Sequence, residues 1–299
     1  MALEFLGNLA TPIIMGLLLG GLYALIALGL SLVFGVMKLI NVAHGDLVVF
    51  GTYVAFFLMT GTVTNHEFAI LGIDPILSLI ISIPLLFIIG FAIQKYLLSR
   101  AFGISMEAPL IIAFGISLIL QNTYQIFWSP MSRGLTTSYT LGGFNFVGAV
   151  VPIAYLLDFI AALVVTLFLR EFLRRTYLGK AIAAASQDKR GAQLMGINTG
   201  RVYAFAFAIA MATAAVAGVF LGLTFPFTPT SGVSFLIIAF GVIIIGGLGS
   251  MLGTFIGGMV LGLAQTLAGY FLGAAAQMLF AYLIVLVVLA VRPQGIFGR

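Results

Sequence analysis

Residues Arg170 to Arg201 read REFLRRTYLGKAIAAASQDKRGAQLMGINTGR, and this basic stretch contrasts with the sequence on both sides of it. It holds seven of the thirteen Lys and Arg residues, whereas its flanks are almost entirely apolar. In membrane proteins, Lys and Arg concentrate in the loops on the cytoplasmic side. The stretch therefore predicts a central cytoplasmic loop, carrying a surface that a partner can bind.

The composition is that of a polytopic membrane protein. The 299 residues are 62% hydrophobic and 7% charged, and the mean hydropathy is +1.24. Soluble domains carry about 25% charged residues. The net charge of +5 comes from basic residues at the ends of apolar runs, which indicates membrane orientation rather than nucleic-acid binding. Because the chain has no Cys, disulfides and thiolate metal sites are excluded.

Nine apolar runs predict an all-α protein of about nine transmembrane helices in a single domain, residues 1–299. Eight spans result if the second run is re-entrant, and ten if another run is split. The basic residues place the N-terminus outside and the C-terminus inside. Continuous rather than alternating apolar runs exclude a β-barrel. The runs are Thr11–Val36, Leu47–Thr60, Pro75–Gln94, Ala108–Trp128, Val151–Phe172, Val202–Leu223, Val233–Ile245, Met251–Tyr270 and Ala274–Val291.

A polar break separates the first two runs. Backbone that leaves the helical ladder at membrane depth is tolerated only against protein or a water-filled cavity. The side chains of Asn41, His44 and Asp46, together with Gly45, are therefore candidates for lining a substrate pathway. The alternative is an ordinary cytoplasmic turn capped by Asn41. No second His lies nearby, so a metal site is not expected.

A glycine-rich segment follows the seventh run. Gly249, Gly253 and Gly257 recur every four residues and predict close helix packing. The functional alternative is a broken helix beside the pathway, formed by Gly246, Gly247, Gly249 and Ser250. The segment lacks the Gly-Lys-Ser/Thr of a phosphate-binding loop. We find no Walker A sequence, catalytic constellation or cofactor site anywhere in the chain, so we expect a protein that is not an enzyme.

The basic stretch predicts one or two short helices on the inner face. Helical potential is strong over Lys180–Met195, and Gly196 is placed as a left-handed C-cap with Ile197 packing back on Ala192. Asn198, or the threonine after it, suits the N-cap of the sixth span. These helices either lie on the lipid surface or form a docking surface for a partner.

A few polar residues interrupt the apolar runs. We expect Asp158 to lie at a membrane interface, because it is close to the external end of the fifth run. Gln121, Asn122 and Gln125 end the fourth run and are expected to be interfacial as well. Gln265 lies near the middle of the eighth run, where a hydrogen bond to another helix is expected.

Four groups of motifs resemble a known family. Their order and spread over nearly the whole chain are similar to those of the permease subunits of branched-chain amino-acid ABC importers, the LivH/LivM type, and closer to the LivH branch. The motifs are Gly29–Gly35 with Asn41–Asp46; Arg175–Ala181 with Gln187-Asp188 and Gly196–Asn198; Gly246–Ser250 with Gly253 and Gly257-Gly258; and Arg292–Gly298.

This resemblance implies a subunit of the bacterial inner membrane that works by alternating access and itself needs no cofactor. It implies a second permease subunit, either different or identical, two cytoplasmic ATPase subunits and a periplasmic binding protein, with lipid around the assembly. The loop at about 173–200 would couple to the ATPase. The coupling residues would be Gly179, Lys180, Gln187, Asp188, Lys189, Arg190, Gly196 and Asn198.

The sequence departs from the family at two positions. A basic residue often stands where Ala183 is, and an acidic one is common at the position of Gln265. Relatives of the family also transport urea, short amides and other amino acids, so these substrates remain alternatives. A secondary transporter or channel that works without ATP is the rival function, although such proteins more often carry intramembrane acidic residues.

Overall fold

The computed structural model describes residues 2–63, 66–67, 72–101, 105, 107–146, 149–292 and 294–298, and most of these are helical. One π-helical turn, Ile93–Leu98, continues directly from α3 into α4. The α-helices are α1 Ala2–Met37, α2 His44–Thr60, α3 Leu79–Ala92, α4 Ser99–Ala101, α5 Ala108–Trp128, α6 Ile153–Arg175, α7 Tyr177–Gln187, α8 Lys189–Leu194, α9 Thr199–Thr224, α10 Ser231–Gly246, α11 Met251–Leu272 and α12 Ala276–Val291.

Two small antiparallel hairpins lie in connections between helices. β1 (Thr62–Val63) pairs with β2 (His66–Glu67) after α2. β3 (Gly143–Phe146) pairs with β4 (Ala149–Pro152) before α6, with Phe144 opposite Val151. Because α6 leads from β4 to α7, we call the two ends of the bundle the hairpin end, where β3 and β4 lie, and the connection end, where α7 and α8 lie.

Each of the nine apolar runs coincides with a helix. The third differs most, because helical structure continues through the π-helical turn to Ala101 and carries Lys95 and Arg100 with it. Within the described ranges, six helical segments are long and apolar enough to cross a membrane. The helices α2, α10 and α12 are shorter, so the number of crossings remains a prediction. The six segments are Leu9–Met37, Leu79–Ala101, Ala108–Trp128, Ile153–Arg175, Thr199–Thr224 and Met251–Leu272.

Helices α1 and α9 form the centre of the bundle, and small residues let their neighbours approach closely. A Cβ on Gly20 would lie 2.5 Å from the Cα of Met259, where α1 packs on α11. A Cβ on Gly257 would lie 2.5 Å from the Val242 carbonyl, where α10 packs on α11. The close helix packing predicted for the glycine-rich segment is therefore confirmed.

Helix α2 begins inside the bundle rather than at the end where α1 stops. The Nε2 of His44, the first residue of α2, donates a hydrogen bond to the Ile26 carbonyl over 2.9 Å. Ile26 lies three helical turns before the end of α1, roughly 16 Å at 1.5 Å per residue. Residues 38–43 therefore run back along α1 in non-helical form. The alternative of an ordinary turn at the end of α1 is therefore wrong, although Asn41 does cap the turn, because its Oδ1 accepts a hydrogen bond from the Ala43 nitrogen.

Helix α10 begins in the same region after a similar return. α9 ends at Thr224, residues 225–230 turn back, and α10 starts at Ser231. A Cβ on Gly232 would lie 2.7 Å from the Asp46 nitrogen, so the first turns of α10 and α2 are in contact. From this meeting point α2 runs beside the second half of α9 toward the hairpin end, and α10 runs toward the connection end.

Candidate functional site

The carboxylate of Asp46 lies at the meeting point of α2 and α10. It accepts hydrogen bonds from Ser117 Oγ over 2.5 Å and from Gln121 Nε2 over 3.2 Å. The Tyr124 hydroxyl donates to the Asp46 main-chain carbonyl over 2.9 Å. These three partners lie on one face of α5, so a single residue of α2 fixes α5 against the bundle.

The electrostatics of the meeting point explain why an acidic residue stands there. A helix N-terminus carries about half a positive charge from its unpaired N–H groups. The N-termini of α2 and α10 meet, and both lie beside Asp46, which is only 1% exposed. Both helix dipoles favour a negative charge at this position, and the carboxyl group accepts hydrogen bonds from the hydroxyl of Ser117 and the amide of Gln121.

The other residues predicted in the polar break are also buried. Asn41 is 1% exposed, and its Oδ1 accepts a hydrogen bond from the Ala43 nitrogen. His44 is fully buried, and a Cβ on Gly29 would lie 2.8 Å from its ring, so the glycine makes room for the imidazole. Among the residues that the structure describes, Asn41 Nδ2 and His44 Nδ1 find no hydrogen-bond partner. The structure thus brings Asn41, His44, Gly45 and Asp46 together inside the bundle.

Helix α5 is loosely packed apart from this anchor. Only 17% of its span is buried, against 78% for α1. Toward the hairpin end, Tyr53 stacks on Tyr124 with ring centroids 4.7 Å apart and contacts Trp128 at 4.9 Å. Asn122 and Gln125 are exposed on the flank of α5 next to this anchor. Exposed amides on an apolar helix favour a protein or water neighbour over lipid.

The returning segment 225–230 is stabilised from the hairpin end. The main chains of Phe227 and Arg133 exchange two hydrogen bonds of 2.8 and 2.9 Å. The Arg133 guanidinium donates to the Trp128 carbonyl and lies 5.1 Å above the Phe56 ring. Non-helical backbone in a membrane protein needs such internal partners. No local pattern around Arg133 predicted this role.

The other predicted pathway residues form a tight turn between α10 and α11. Gly247 and Gly249 have positive φ angles of 98° and 84°, which favour glycine. Ser250 caps α11 by accepting a hydrogen bond from the Gly253 nitrogen over 3.1 Å. A Cβ on Gly249 would lie 2.8 Å from the Cα of Gly35. Gly246, Gly247, Gly249 and Ser250 thus lie at the end of α1, a helix length away from Asp46.

Side-chain caps define the connection between α6 and α9. Thr176 accepts a hydrogen bond from the Gly179 nitrogen at the start of α7, and Asp188 from the Arg190 nitrogen at the start of α8. The predicted C-cap at Gly196, the return of Ile197 to Ala192 and the N-cap at Asn198 are all confirmed at the end of this connection. Gly196 has φ +81°, and the Ile197 nitrogen donates to the Ala192 carbonyl. Asn198 caps α9 by accepting from the Arg201 nitrogen over 3.0 Å.

The connection has a packed face and an open face. A Cβ on Gly179 would lie 2.5 Å from the Cα of Leu173, so α7 lies directly against the end of α6. On the open side, Tyr177 is 84%, Leu194 89% and Met195 83% exposed. Lys180, Gln187, Asp188, Lys189 and Arg190 are exposed as well. Large apolar side chains exposed among charged ones are typical of a protein-binding surface.

Gln265 and Asp158 are isolated polar residues within apolar runs, and both form hydrogen bonds to other helices. The Tyr23 hydroxyl donates to Gln265 Oε1 over 2.6 Å, which confirms the predicted bond between Gln265 and another helix. The side chain of Asp158 is fully buried inside the bundle, and its position at a membrane interface stays a prediction. Its Oδ2 accepts a hydrogen bond from Thr224 Oγ1 over 2.6 Å, while Oδ1 has no partner in the described part of the chain. Gln121, another residue expected at an interface, donates a hydrogen bond to Asp46.

Sequence reasoning missed the partners of Asp46. Ser117, Gln121 and Tyr124 recur at helical spacing on α5, a pattern that predicts a polar face, but nothing local connects them with a residue about seventy positions earlier. Within the described ranges, no three His, Asp or Glu side chains come close enough to hold a metal ion.

Known proteins resemble this chain over almost its whole length. It is 32% identical over 303 residues to the high-affinity branched-chain amino acid transport system permease protein BraD of Pseudomonas aeruginosa, covering 95% of this chain and 94% of BraD. It is also 32% identical over 308 residues to LivH of Escherichia coli, with the same coverage. A probable LivH of Methanocaldococcus jannaschii is 28% identical over 299 residues, covering 93% of this chain and 89% of that protein.

A solved structure shows the same fold. PsaBC from Streptococcus pneumoniae, in complex with Fab, superposes with a TM-score of 0.52 over 99% of this chain and 98% of that chain, at 15% identity. Residues 13–289 match the family described as "Branched-chain amino acid transport system / permease component". The resemblance inferred from the four motif groups is confirmed, and this chain belongs to the branched-chain amino acid permease family.

Proposed function

We propose that this chain is the permease subunit of an ABC importer that moves branched-chain amino acids across the bacterial inner membrane. The observation that carries the proposal is its 32% identity to two branched-chain amino acid permeases over 95% of the chain. The family match over residues 13–289 includes both returning segments, the helical connection and the turn at Gly246. Substrate and mechanism are inferred from this similarity and from the arrangement of the helices.

The basic residues support one orientation in the membrane. Among the Lys and Arg residues that the structure describes, Arg133 alone lies at the hairpin end, and the others lie toward the connection end. The positive-inside rule then places the connection end in the cytoplasm. In this orientation the N-terminus of α1 is outside. The chain crosses the membrane nine times if each returning segment and the short helix that follows it are counted together as one crossing.

The open face of α7 and α8 is the proposed ATPase contact. It combines the exposed Tyr177, Leu194 and Met195 with the cations of Lys180, Lys189 and Arg190. The packed face contacts α6, α1 and α9. A displacement of the connection would therefore be transmitted to both central helices, α1 and α9. This agrees with coupling through Gly179, Gln187, Asp188, Gly196 and Asn198, of which Asp188, Gly196 and Asn198 form caps.

The proposed pathway follows α5 past the meeting point of α2 and α10. Asn122 and Gln125 place two exposed amides on the flank of α5, next to Ser117 and Gln121, which connect its inner face to Asp46. A second permease subunit facing α5 would enclose a channel between the two chains. Movement of α5 relative to Asp46 then provides an opening step without disturbing α1 and α9.

The complete importer would contain a second permease subunit, two ATPase subunits and an external binding protein. The test is to reconstitute these components in proteoliposomes, with the binding protein inside or outside, and to follow uptake of radiolabelled leucine. We expect uptake that needs ATP and the binding protein, that isoleucine and valine compete for, and that urea and acetamide leave unchanged. Uptake by this chain alone without ATP, or preference for urea, would contradict the proposal.

A further inference from the structure

A cavity of about 470 Å³ opens at the connection end, between the end of α3 and the start of α9. Its inner wall is apolar, with Phe91 and Phe205 in edge contact at a centroid distance of 5.2 Å. Its rim is polar and basic. The lining residues are Phe91, Lys95, Ser99, Asn198, Gly200, Arg201, Ala204 and Phe205.

The two cations on the rim have no acidic partner in the part of the chain that the structure describes. There the side-chain ion pair joins Arg175 to Glu171, at a distance from the cavity along α6. The ammonium of Lys95 lies over the rings of Phe91 and Tyr96, 5.7 and 5.2 Å from their centroids. Lys95 and Arg201 thus place two positive charges beside one apolar hollow.

The helix that carries Lys95 is irregular at this point. Residues Ile93–Leu98 form a π-helical turn, whose extra residue shifts the register between α3 and α4. Such turns are frequent at functional sites. On the other side of the cavity, the Asn198 side chain accepts a hydrogen bond from the Arg201 main-chain nitrogen, so the N-terminus of α9 is already capped. The attraction for an anion therefore comes from the two side chains.

We propose that this cavity binds one anionic phospholipid, with its phosphate between Lys95 and Arg201 and an acyl chain along Phe91 and Phe205. An apolar wall below a cationic rim matches a molecule that is apolar on one side and negative on the other. Basic pockets between transmembrane helices on the cytoplasmic side bind such headgroups. The proposal does not depend on which substrate the importer carries.

The test measures lipid binding to the purified, delipidated chain. Native mass spectrometry would compare phosphatidylglycerol with phosphatidylcholine of the same acyl chains, for the wild type and for the double variant Lys95→Gln/Arg201→Gln. Each basic residue near the membrane surface contributes about a fivefold preference for an anionic lipid. We expect the apparent affinity for phosphatidylglycerol to fall about 20-fold, with phosphatidylcholine unchanged.

A matched control is Arg170→Gln/Arg174→Gln, which removes two exposed charges at the same end outside the cavity. A second variant, Ser99→Trp, would fill the mouth of the cavity at an exposed position without changing the charge. We expect phosphatidylglycerol binding to survive in the control and to fall in Ser99→Trp. Equal loss in both charge variants would indicate diffuse attraction and overturn the proposal. Competition by glycerol phosphate as strong as that by the lipid would also overturn it.

Discussion

The nitrogen of Asp46 lies 2.7 Å from the point that a Cβ on Gly232 would occupy, so the first turns of α2 and α10 touch. This contact joins two short helices that begin about halfway along the bundle. Each reaches that point through a non-helical segment that returns along the preceding long helix. Broken helices that meet near the middle of the membrane commonly frame the substrate site of a transporter.

Gly232→Ala should disrupt this contact. The added methyl group would meet the Asp46 nitrogen at 2.7 Å and its Cα at 2.8 Å, and main-chain atoms cannot move aside as a flexible side chain can. We expect a loss of thermal stability corresponding to about 1–3 kcal/mol, measured in detergent. Gly115→Ala is the control, since a Cβ there meets nothing within 4 Å, and Ala is the better helix former by about 1 kcal/mol. Equal changes in thermal stability for Gly232→Ala and Gly115→Ala would show that the first turns of α2 and α10 do not meet.

Asp46→Asn should loosen α5. The amide keeps one acceptor oxygen but loses the charge that faces two helix N-termini, and its NH₂ group opposes that of Gln121. We expect a destabilisation of roughly 1–3 kcal/mol. Trp128 is the one Trp of the chain and ends α5, stacked near Tyr53, so its emission should shift to the red. Glu107→Gln removes an exposed acidic charge just before α5 and should leave the emission unchanged.

The sequence predicted which segments are helical far better than it predicted where along the bundle each helix begins. Apolar runs and caps such as Gly196 are local signals, and the structure confirms them. The return of residues 38–43 along α1 depends on the bond between His44 and Ile26, which joins residues of two different helices. Burial of Asp158 depends likewise on Thr224, the last residue of α9. Hydropathy gives the length of an apolar run. It does not show where along the bundle the helix begins, or which residues form hydrogen bonds with the polar side chains in the run.

Gly196→Val should impair coupling with little effect on the bundle. Gly196 has φ +81°, and a branched side chain in that region costs about 1–2 kcal/mol, so the end of α8 would take another course. We expect the ATPase subunits to co-purify, while the amount of leucine transported per ATP hydrolysed falls several-fold. Gly72→Val is the control, because Gly72 also has a positive φ, +57°, and an open environment, but lies near the hairpin end. Unchanged coupling in Gly196→Val would refute the coupling role of this connection.

Leu194→Asp should weaken binding of the ATPase subunits. Leu194 is 89% exposed on α8, so the substitution leaves the bundle intact but puts a charge into the proposed apolar contact. Because central interface residues contribute about 2 kcal/mol or more, we expect the affinity for the ATPase to fall at least about tenfold in a pull-down titration. Leu141→Asp is the matched control at the hairpin end, where Leu141 is 82% exposed. An equal fall in both variants would exclude a specific contact at α8.

The hydrogen bond between Thr224 and Asp158 joins α9 to α6 at the point where the second returning segment begins. Thr224→Val removes a donor to a buried carboxyl group whose other oxygen has no partner among the described residues, so we expect a loss of about 1–3 kcal/mol in stability. Asp158→Leu removes the buried polar group itself, and replacing both partners with apolar residues can be nearly neutral. The double variant should therefore be more stable than Thr224→Val, with a coupling energy of about 0.5–3 kcal/mol in a double-mutant cycle. Additive losses would mean that the two side chains do not interact, and that another contact fixes the position where residues 225–230 turn back.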